Sequence, residues 1–190
     1  MIDKFKIIED KEFGYRRVDP VPDDKEIDDF YSKKYYKMAK DGTGNPDQIL
    51  KFMGADDKEA EKERLWLRNS MYSDILHIIN KFSLGKSILD IGCGTGELMS
   101  YLEESGFKTH GVEPSADAVR IVKDKGLSIS NMTIDEFAEC NEKKFDVITM
   151  ISVLEHVPHP PNVIEKLKNM LNNNGILCVI VPNDFSDIQY

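Results

Sequence analysis

The sequence predicts an α/β protein built on a doubly wound parallel sheet. From Ser87 onward, short apolar segments rich in β-branched residues alternate with longer segments of helical periodicity. The helical segments carry start and stop signals, such as the T-x-x-E capping pattern of Thr133 and Glu136. Strands that alternate with helices pair in parallel through right-handed crossovers, which place helices on both faces of the sheet.

Each element follows from a local pattern in this alternation. A strand is expected wherever a short apolar run stands between turn signals, and a helix wherever a capping residue or proline opens a periodic segment that ends in glycine. The predicted strands are SILDIG (87–92), FKTHGVEP (107–114), LSISNM (127–132), FDVITMIS (145–152) and ILCVIVP (176–182). The predicted helices are 95–106, 115–126, a short helix that opens at Thr133, and 160–175.

Residues 1–57 form an N-terminal part that we expect to be a helical extension, and residues 58–190 form the main domain. Turn signals such as VDPVPDD and DGTGNPD divide the N-terminal part. Between them, a helix over 22–40 is predicted from apolar residues at helical spacing: Ile27, Phe30, Tyr31, Tyr35 and Met38. A second amphipathic pattern over 62–82 predicts a helix with these residues on one face: Leu65, Tyr72, Ile75, Ile79 and Phe82.

The composition excludes several classes of partner. The net charge is -9, and lysines are mixed with acids throughout, so the chain offers no basic patch to a nucleic acid. No apolar run approaches the roughly 18 residues of a membrane span, and the N-terminus lacks the apolar core of a signal peptide. Cys93, Cys140 and Cys178 are too widely spaced for a disulfide framework or a zinc site. We therefore expect a cytoplasmic protein that binds no metal.

The segment GCGTG follows the first predicted strand, at the sheet edge where open parallel sheets bind ligands. Gly92, Gly94 and Gly96 allow the backbone to take positive φ and to approach a ligand, and the helix beyond offers free N–H groups. A dinucleotide site has the spacing G-x-G-x-x-G, but here Glu97 replaces the third glycine. Together with Asp90 before the loop, Glu97 makes the site poorly suited to pyrophosphate.

A second acid, Glu113, ends the second predicted strand about twenty positions after the loop, where an acidic residue binds both hydroxyls of an adenosine ribose. A ligand with a ribose, a positive centre and no phosphate fits Asp90 and Glu113 better than NAD does. S-adenosylmethionine is such a ligand.

Four motifs resemble those of the class I S-adenosylmethionine-dependent methyltransferases: LDIGCGTG (89–96), GVEPS (111–115), FDVITMISVLEHV (145–157) and GILCVIVP (175–182). They follow the family's order and spacing over residues 86–183, and the LEHV box is most similar to that of small-molecule enzymes such as the ubiquinone-biosynthesis group. The resemblance implies a Rossmann-like sheet ordered 3-2-1-4-5. It also implies S-adenosylmethionine as cofactor, S-adenosylhomocysteine as product, and methyl transfer to a small-molecule acceptor.

The resemblance assigns a cofactor site to the loops after the first four strands. Its residues are Asp90, Gly92, Cys93, Gly94, Gly96, Glu113, Pro114, Ser115, Met132, Thr133, Met150, Ile151 and His156. The glycine loop would wrap the methionine part, ordered by Asp90, while Glu113 would bind the ribose. Met132 and Thr133 would border the adenine, and the residues from the end of the fourth strand would line the transferable methyl group. No catalytic residue is assigned.

Several roles stay open at this point. His156 could be a general base for the acceptor, or it could orient the loop after the fourth strand, which is the favoured role. Tyr35 or Tyr36 could touch the cofactor from a lid formed by the helix over 22–40. The alternatives to methyl transfer are a non-catalytic module that binds S-adenosylmethionine and, less favoured, an NAD-dependent oxidoreductase.

The pattern departs from the family after the fifth strand. The resemblance implies a seven-stranded sheet whose last two strands form an antiparallel hairpin, but the sequence after Pro182 shows no pattern of such a hairpin. We expect the chain to be a fragment of a longer protein with an incomplete acceptor pocket and little transfer activity of its own. In a sheet ordered 3-2-1-4-5, the fifth strand would be an edge that could mediate self-association.

Overall fold

The computed structural model of the chain describes residues 4–29, 62 and 65–182. The chain divides into two compact units, residues 1–63 and 64–190. In the first unit, β1 (Lys6–Glu9) and β2 (Arg16–Asp19) form an antiparallel hairpin, followed by α1 (Asp24–Asp29). α1 lies within the predicted helix over 22–40; the rest of that prediction, with Tyr35 and Tyr36, lies outside the described residues.

The β1–β2 hairpin is not predicted from the sequence, because this part of the chain shows only turn signals and one helical pattern. The hairpin turn is held by the Asp10 carboxylate, which accepts hydrogen bonds from the backbone N–H groups of Glu12 and Phe13 at 3.0 Å each. Asp10 also pairs with Arg17 on β2 at 3.3 Å. Such a turn depends on one side chain folding back on its own backbone, as Asp and Asn often do.

The second unit contains the predicted parallel sheet. Its strands are β3 (Ser87–Ile91), β4 (Lys108–Val112), β5 (Ile129–Ser130), β6 (Phe145–Ile151) and β7 (Leu171–Ile180). All neighbouring strands are parallel, and their order is β5-β4-β3-β6-β7. This order confirms the predicted 3-2-1-4-5, with the strand that precedes the glycine loop at the centre.

Helices precede and connect these strands. They are α2 (Ser73–Phe82), α3 (Glu97–Glu104), α4 (Ala116–Asp124), α5 (Ile134–Cys140) and α6 (Pro160–Asn169), with a 3₁₀ turn at Leu154–His156. The predicted caps are confirmed: Ser115 accepts a hydrogen bond from the Ala118 N–H, and Thr133 and Glu136 form a reciprocal capping box. Within the described ranges, no helix has the length and apolar character needed to cross a bilayer.

Two apolar clusters cover the two faces of the sheet. On one face, α2 and α3 pack with β3 and β6 through Ile75, Ile79, Ile88, Leu98, Leu102 and Val147. On the other face, α5 and α6 pack with the sheet through Leu89, Ile91, Phe137, Ile148, Val163 and Leu167. Alternate residues of β3 and β6 therefore enter opposite cores, as a strand buried on both faces requires.

The predicted apolar stripe of residues 62–82 is correct in its middle and wrong at its ends. Tyr72, Ile75 and Ile79 are buried, whereas Leu65 and Phe82 are 49% and 57% exposed. A π-helical turn at Arg68–Tyr72 leads directly into α2. Because a π-helical turn closes i→i+5 bonds, it rotates Leu65 away from the face that α-helical spacing predicts. Phe82 is the last residue of α2.

The last helix is shorter than predicted, because α6 ends at Asn169 and not at Gly175. Leu171 already pairs with Phe145, and the register then shifts before Val147 pairs with Ile176. Asn174 takes a φ of 63° inside this irregular segment. Asparagine hydrogen-bonds its surroundings in non-helical conformations, and here the Asn172 side chain donates to Asp146 Oδ1 at 2.8 Å.

Candidate functional site

The glycine loop joins the central strand β3 to α3 at the carboxyl edge of the sheet. Its backbone is tied to the neighbouring strand, because the Gly92 N–H donates to the Val112 carbonyl at 2.8 Å. It is closed on itself by the Gly96 N–H, which donates to the Cys93 carbonyl at 2.9 Å. All three glycines have positive φ, at 65°, 52° and 75° in chain order, which explains why glycine recurs at alternate positions.

The three glycines nevertheless face different surroundings. A Cβ at Gly92 would lie 2.4 Å from the Val153 side chain, which belongs to the loop after β6. A Cβ at Gly96 would lie 3.1 Å from the side chains of Val122 and Leu127. A Cβ at Gly94 would meet no atom within 4 Å. Gly92 and Gly96 thus serve packing, while the backbone of Gly94 faces open space that a ligand could enter.

Glu113 links this loop to the end of β4. Its Oε2 accepts a hydrogen bond from the Gly94 N–H at 3.1 Å, and its Oε1 accepts one from the Ser115 N–H at 2.9 Å. The carboxylate is half-buried, and burial raises its pKa against the lowering effect of these two hydrogen bonds. A carboxylate oxygen has lone pairs for more than one donor, so both oxygens can still accept a ligand hydroxyl.

Asp90 lies on β3, one residue before its end, and is 4% exposed. Its Oδ1 accepts a hydrogen bond of 2.6 Å from the hydroxyl of Thr149, which is fully buried on β6. Burial and the nearby charge of Glu113 together raise the pKa of Asp90 to about 7, against the lowering effect of the Thr149 hydrogen bond. The site therefore holds two neighbouring carboxyls whose protonation changes closer to neutral pH than that of exposed acids.

Cys93 packs beneath the loop. A Cβ on Gly111 would lie 2.6 Å from Cys93 Sγ, so the thiol occupies the space above that glycine of β4. Burial, with the charges of Asp90 and Glu113, raises the pKa of the Cys93 thiol. A protonated and half-buried thiol is a poor nucleophile, which leaves the Cys93 backbone as its contribution to the site.

Glu97, which stands where the dinucleotide-binding pattern has its third glycine, forms an ion pair with Lys125. Its Oε1 accepts from Lys125 Nζ at 2.6 Å, and the same ammonium donates to the Thr95 carbonyl at 2.9 Å. Because this ion pair largely offsets its charge, Glu97 would oppose a pyrophosphate less than Asp90 and Glu113 would. Glu97 also begins α3, where the helix dipole favours an acid.

Asn131 connects the loops after β4 and β5, and the sequence analysis does not single it out. Its side-chain amide donates to the carbonyls of Glu113 and Pro114 at 3.0 Å each. The next two residues, Met132 and Thr133, are therefore held near the end of β4. The Thr133 hydroxyl is engaged in the capping box with Glu136.

The end of β6 contributes the remaining predicted residues. The Met150 side chain is fully buried in the core, whereas Ile151 is half-buried. Ser152 follows with a φ of 54°, and its N–H donates to the Ile180 carbonyl of β7 at 2.8 Å. A non-glycine residue at positive φ is uncommon, and such residues cluster at functional sites. His156 ends the 3₁₀ turn that follows, with its side chain half exposed.

The structure thus brings the predicted residues of the glycine loop and of the end of β4 together at one edge of the sheet, whereas Met150 lies in the core. Direct hydrogen bonds join Gly94, Glu113 and Ser115, and the Gly92–Val153 contact brings the loop after β6 against the glycine loop. Thr149 is the second residue that the sequence analysis misses. Asp90 and Thr149 are polar residues in the middle of two largely apolar central strands, and this was the available signal for their pairing.

The fold and these contacts agree with comparisons to known proteins. A family profile described as "Methyltransferase domain" matches residues 60–189. A ubiquinone biosynthesis O-methyltransferase of Actinobacillus pleuropneumoniae serotype 5b (strain L20) is 32% identical over 133 residues, which cover 59% of this chain and 56% of the relative. The chain thus spans about half the length of this curated relative.

Solved structures with the same fold include an S-adenosylmethionine-dependent methyltransferase from Clostridium acetobutylicum ATCC 824, with a TM-score of 0.53 and 21% identity. The match covers 62% of this chain and 52% of that one. A second is CalS10, an amino pentose methyltransferase from Micromonospora echinaspora, with a TM-score of 0.56, 16% identity and coverage of 65% and 55%. The profile match over more than half of the chain, together with this sheet order, shows that the chain belongs to the methyltransferase-domain family and has the class I S-adenosylmethionine-dependent methyltransferase fold.

Proposed function

We propose that this chain binds S-adenosylmethionine and transfers its methyl group to a small-molecule acceptor. The observation that carries the proposal is the position of the Glu113 carboxylate. It is held by the backbone N–H groups of Gly94 and Ser115 at the carboxyl edge of the sheet, beside the loop glycine that faces open space. This is the place and the chemistry that a ribose with two free hydroxyls requires.

The residues present fit this cofactor. Glu113 would accept hydrogen bonds from the ribose hydroxyls, and Asp90 would face the positively charged amino-acid part. The loops that Asn131 ties together would border the adenine with Pro114 and Met132. When bound, S-adenosylmethionine supplies a sulfonium methyl group that a nucleophile can attack directly. Two neighbouring carboxyls suit a cationic ligand and oppose a pyrophosphate.

The residues of the chain would act mainly by alignment. Direct displacement at a methyl carbon needs a fixed geometry and no covalent enzyme intermediate, so rigid loops around the cofactor are the main requirement. The positive-φ backbone of the glycine loop and of Ser152 fixes two of these loops. The half-exposed His156 could accept a proton from the acceptor or could orient the loop that carries it.

The acceptor class is proposed from two observations. The relative from Actinobacillus pleuropneumoniae is named an O-methyltransferase, which favours a hydroxyl as the acceptor group. Half-buried Ile151 and Ile180, and exposed Val181, lie at the carboxyl ends of β6 and β7 and favour an apolar acceptor body. A phenol or catechol combines both properties and is a suitable first substrate for an assay with the full-length gene product.

Calorimetric titration of the chain with S-adenosylhomocysteine and with NADH tests the proposal. We expect S-adenosylhomocysteine alone to bind, and Glu113→Ala to weaken its binding by about 1.5–3 kcal/mol, the scale of charge-assisted hydrogen bonds. Glu103→Ala is the matched control, because Glu103 also accepts two hydrogen bonds, from the Thr109 N–H and hydroxyl, outside the site. Unchanged affinity in Glu113→Ala, or preferential binding of NADH, would contradict the assignment.

A further inference from the structure

We propose that Thr149 is a positioning residue for the cofactor. Its buried hydroxyl holds the Asp90 carboxylate by one oxygen, so that the second oxygen, Oδ2, is presented to the ammonium group of the cofactor's amino-acid part. The inference rests on the proposed function and adds a residue that the family motifs do not assign.

The geometry of the pair is fixed by the sheet. Asp90 and Thr149 are register partners on the adjacent parallel strands β3 and β6, and their side chains point to the same face. The hydrogen bond of 2.6 Å lies between two buried residues, 4% and 0% exposed, so bulk water does not compete for it. Strand pairing therefore places the Thr149 hydroxyl against one oxygen of the carboxylate and leaves the other for a different partner.

The Thr149 hydroxyl has no packing purpose of its own. Valine has nearly the same shape as threonine, and the neighbouring positions of β6, Val147, Ile148 and Met150, are buried apolar residues. A buried hydroxyl is unfavourable unless it is hydrogen-bonded. Its partners are the Asp90 carboxylate and, at 3.5 Å, the Leu89 carbonyl, so Asp90 accounts for its presence.

The other oxygen of Asp90 is open. Among the described residues, no fully buried side-chain oxygen lacks a hydrogen-bond partner. The only hydrogen bond of the Asp90 side chain to these residues is the one from Thr149 to Oδ1. Oδ2 must therefore retain some solvent contact. Asp90 lies near Glu113 and near Cys93 of the glycine loop, where a ligand would lie.

The ionisable groups around Asp90 do not favour its charged form. Glu113 lies near Asp90 at the end of β4, Cys93 in the glycine loop and Cys178 on β7. None of these groups is a cation. α2 and α3 cover this face with apolar side chains, while Glu97 pairs with Lys125 and Glu104 pairs with Arg68. Among the residues that the structure describes, the Thr149 hydrogen bond is thus the contact that favours the ionised form of Asp90 for a cationic ligand.

The test compares Thr149→Val with Thr149→Ser by calorimetry between pH 6 and pH 8.5. S-adenosylhomocysteine carries the amino-acid part, whereas 5′-methylthioadenosine lacks it. Thr109→Val is the matched control, because Thr109 is also buried on this sheet and donates to a carboxylate, Glu103, at 2.7 Å. If Thr149→Val does not fold, Thr149→Cys replaces it as a weak donor of similar size.

We expect Thr149→Val to bind S-adenosylhomocysteine about three- to tenfold more weakly at pH 7, because loss of the hydrogen bond raises the pKa of Asp90 and leaves less of it ionised. The difference should narrow at pH 8.5, where Asp90 ionises in both proteins. Binding of 5′-methylthioadenosine should be unchanged, and Thr149→Ser and Thr109→Val should resemble the wild type. Thr149→Cys should fall between the wild type and Thr149→Val.

Equal weakening of both ligands, or a loss that does not depend on pH, would assign Thr149 a purely structural role and overturn the inference. Wild-type affinity in Thr149→Val, or in Thr149→Cys if that variant replaces it, would also overturn it. Failure of the wild-type chain to bind either ligand would instead refute the proposed function, and with it this inference.

Discussion

At the scale of single residues, the site is a pair of carboxyls held by specific donors. Glu113 is satisfied by two backbone N–H groups, and Asp90 by the Thr149 hydroxyl. Burial raises the pKa of both acids above their ordinary values. Buried acids with raised pKa values are typical of binding and catalytic sites, because function and not stability maintains them.

Asp90 should therefore make the stability of the protein depend on pH. Its pKa rises from an ordinary value of 3.8 to about 7 on folding, so its contribution to stability is complete below pH 3.8 and is lost as the pH rises through 7. The asparagine side chain in Asp90→Asn cannot ionise. We therefore expect this variant to have a free energy of unfolding at pH 8 that is about 2–4 kcal/mol higher than that of the wild type.

Urea denaturation at pH 5 and pH 8 measures this effect. The gain in the free energy of unfolding from Asp90→Asn should be smaller at pH 5, because ionisation of the buried Asp90 destabilises the wild type less at that pH. The affinity for the cofactor should fall in Asp90→Asn although stability rises. The same gain at both pH values would show that Asp90 does not titrate in this range.

At the scale of elements, the strand-to-helix turn from β3 to α3 is the centre of the candidate site. Each of its glycines has positive φ, but only Gly94 faces open space within the loop. The loops after β4, β5 and β6 are attached to this turn or to one another through Glu113, Asn131 and Val153. The site is thus an assembly of loops on a rigid sheet, the common arrangement in open α/β proteins.

Gly94→Ala should separate the stability of this loop from its function. Gly106, which follows α3, is the matched control, since it also has positive φ and open space around its Cβ position. We expect either alanine to cost about 1 kcal/mol of stability, owing to the left-handed backbone. Only Gly94→Ala should weaken S-adenosylhomocysteine binding in calorimetry, because its methyl group would occupy the ligand's space. Equal binding by the two variants would place the ligand elsewhere.

At the scale of the whole molecule, two predictions from the sequence concern the surroundings of the sheet. One assigns the N-terminal part to a lid over the cofactor, and the other concerns the exposed side of the last strand. The first unit, residues 1–63, is compact in itself, and so is the unit of residues 64–190 that contains the sheet. Each prediction can therefore be tested without unfolding the other unit.

Deletion of residues 1–57 tests the lid. The apolar residues predicted on the helix over 22–40 need a surface to cover, and active-site lids exclude water from bound ligands. We expect the shortened chain to keep its circular dichroism spectrum and thermal transition but to bind S-adenosylhomocysteine more weakly. If the shortened chain binds equally well, residues 1–57 have a packing role only.

The outer edge of β7 is expected to associate with another strand. Within the described residues, β7 pairs with β6 alone, and its end carries Val181, which is 48% exposed. An apolar edge without charges invites pairing with another strand. We expect the chain either to self-associate through residues 176–182 or to cover them with a segment of its own.

Analytical ultracentrifugation and hydrogen exchange test this expectation. If the chain self-associates, Val181→Lys should shift it towards the monomer, whereas Ile121→Lys, at an exposed apolar site on α4, should not. A monodisperse monomer at high concentration in which amides 176–182 exchange rapidly would contradict the edge argument.

The sequence by itself determined the elements and their order. Alternating apolar and helical segments identify the five strands of the sheet, and their order follows from the class I resemblance. Local capping signals at Ser115 and Thr133 are confirmed because they depend on residues three positions apart. The acids Asp90 and Glu113 and the glycine loop are predicted as site residues because each lies in a contiguous motif. Local hydrogen bonds and periodicity are encoded within short segments, so sequence patterns report them directly.

Only the tertiary structure decided which distant side chains meet. The hydrogen bond between Thr149 and Asp90 joins residues 59 positions apart, and the Asn131 bonds to the end of β4 span 17 and 18 positions. The contact of Gly92 with Val153 depends likewise on the pairing of β3 with β6. Strand register fixes these contacts, and a shift of one residue would turn every side chain to the opposite face. Because that register is set by the packing of both cores at once, no single segment of the sequence contains it.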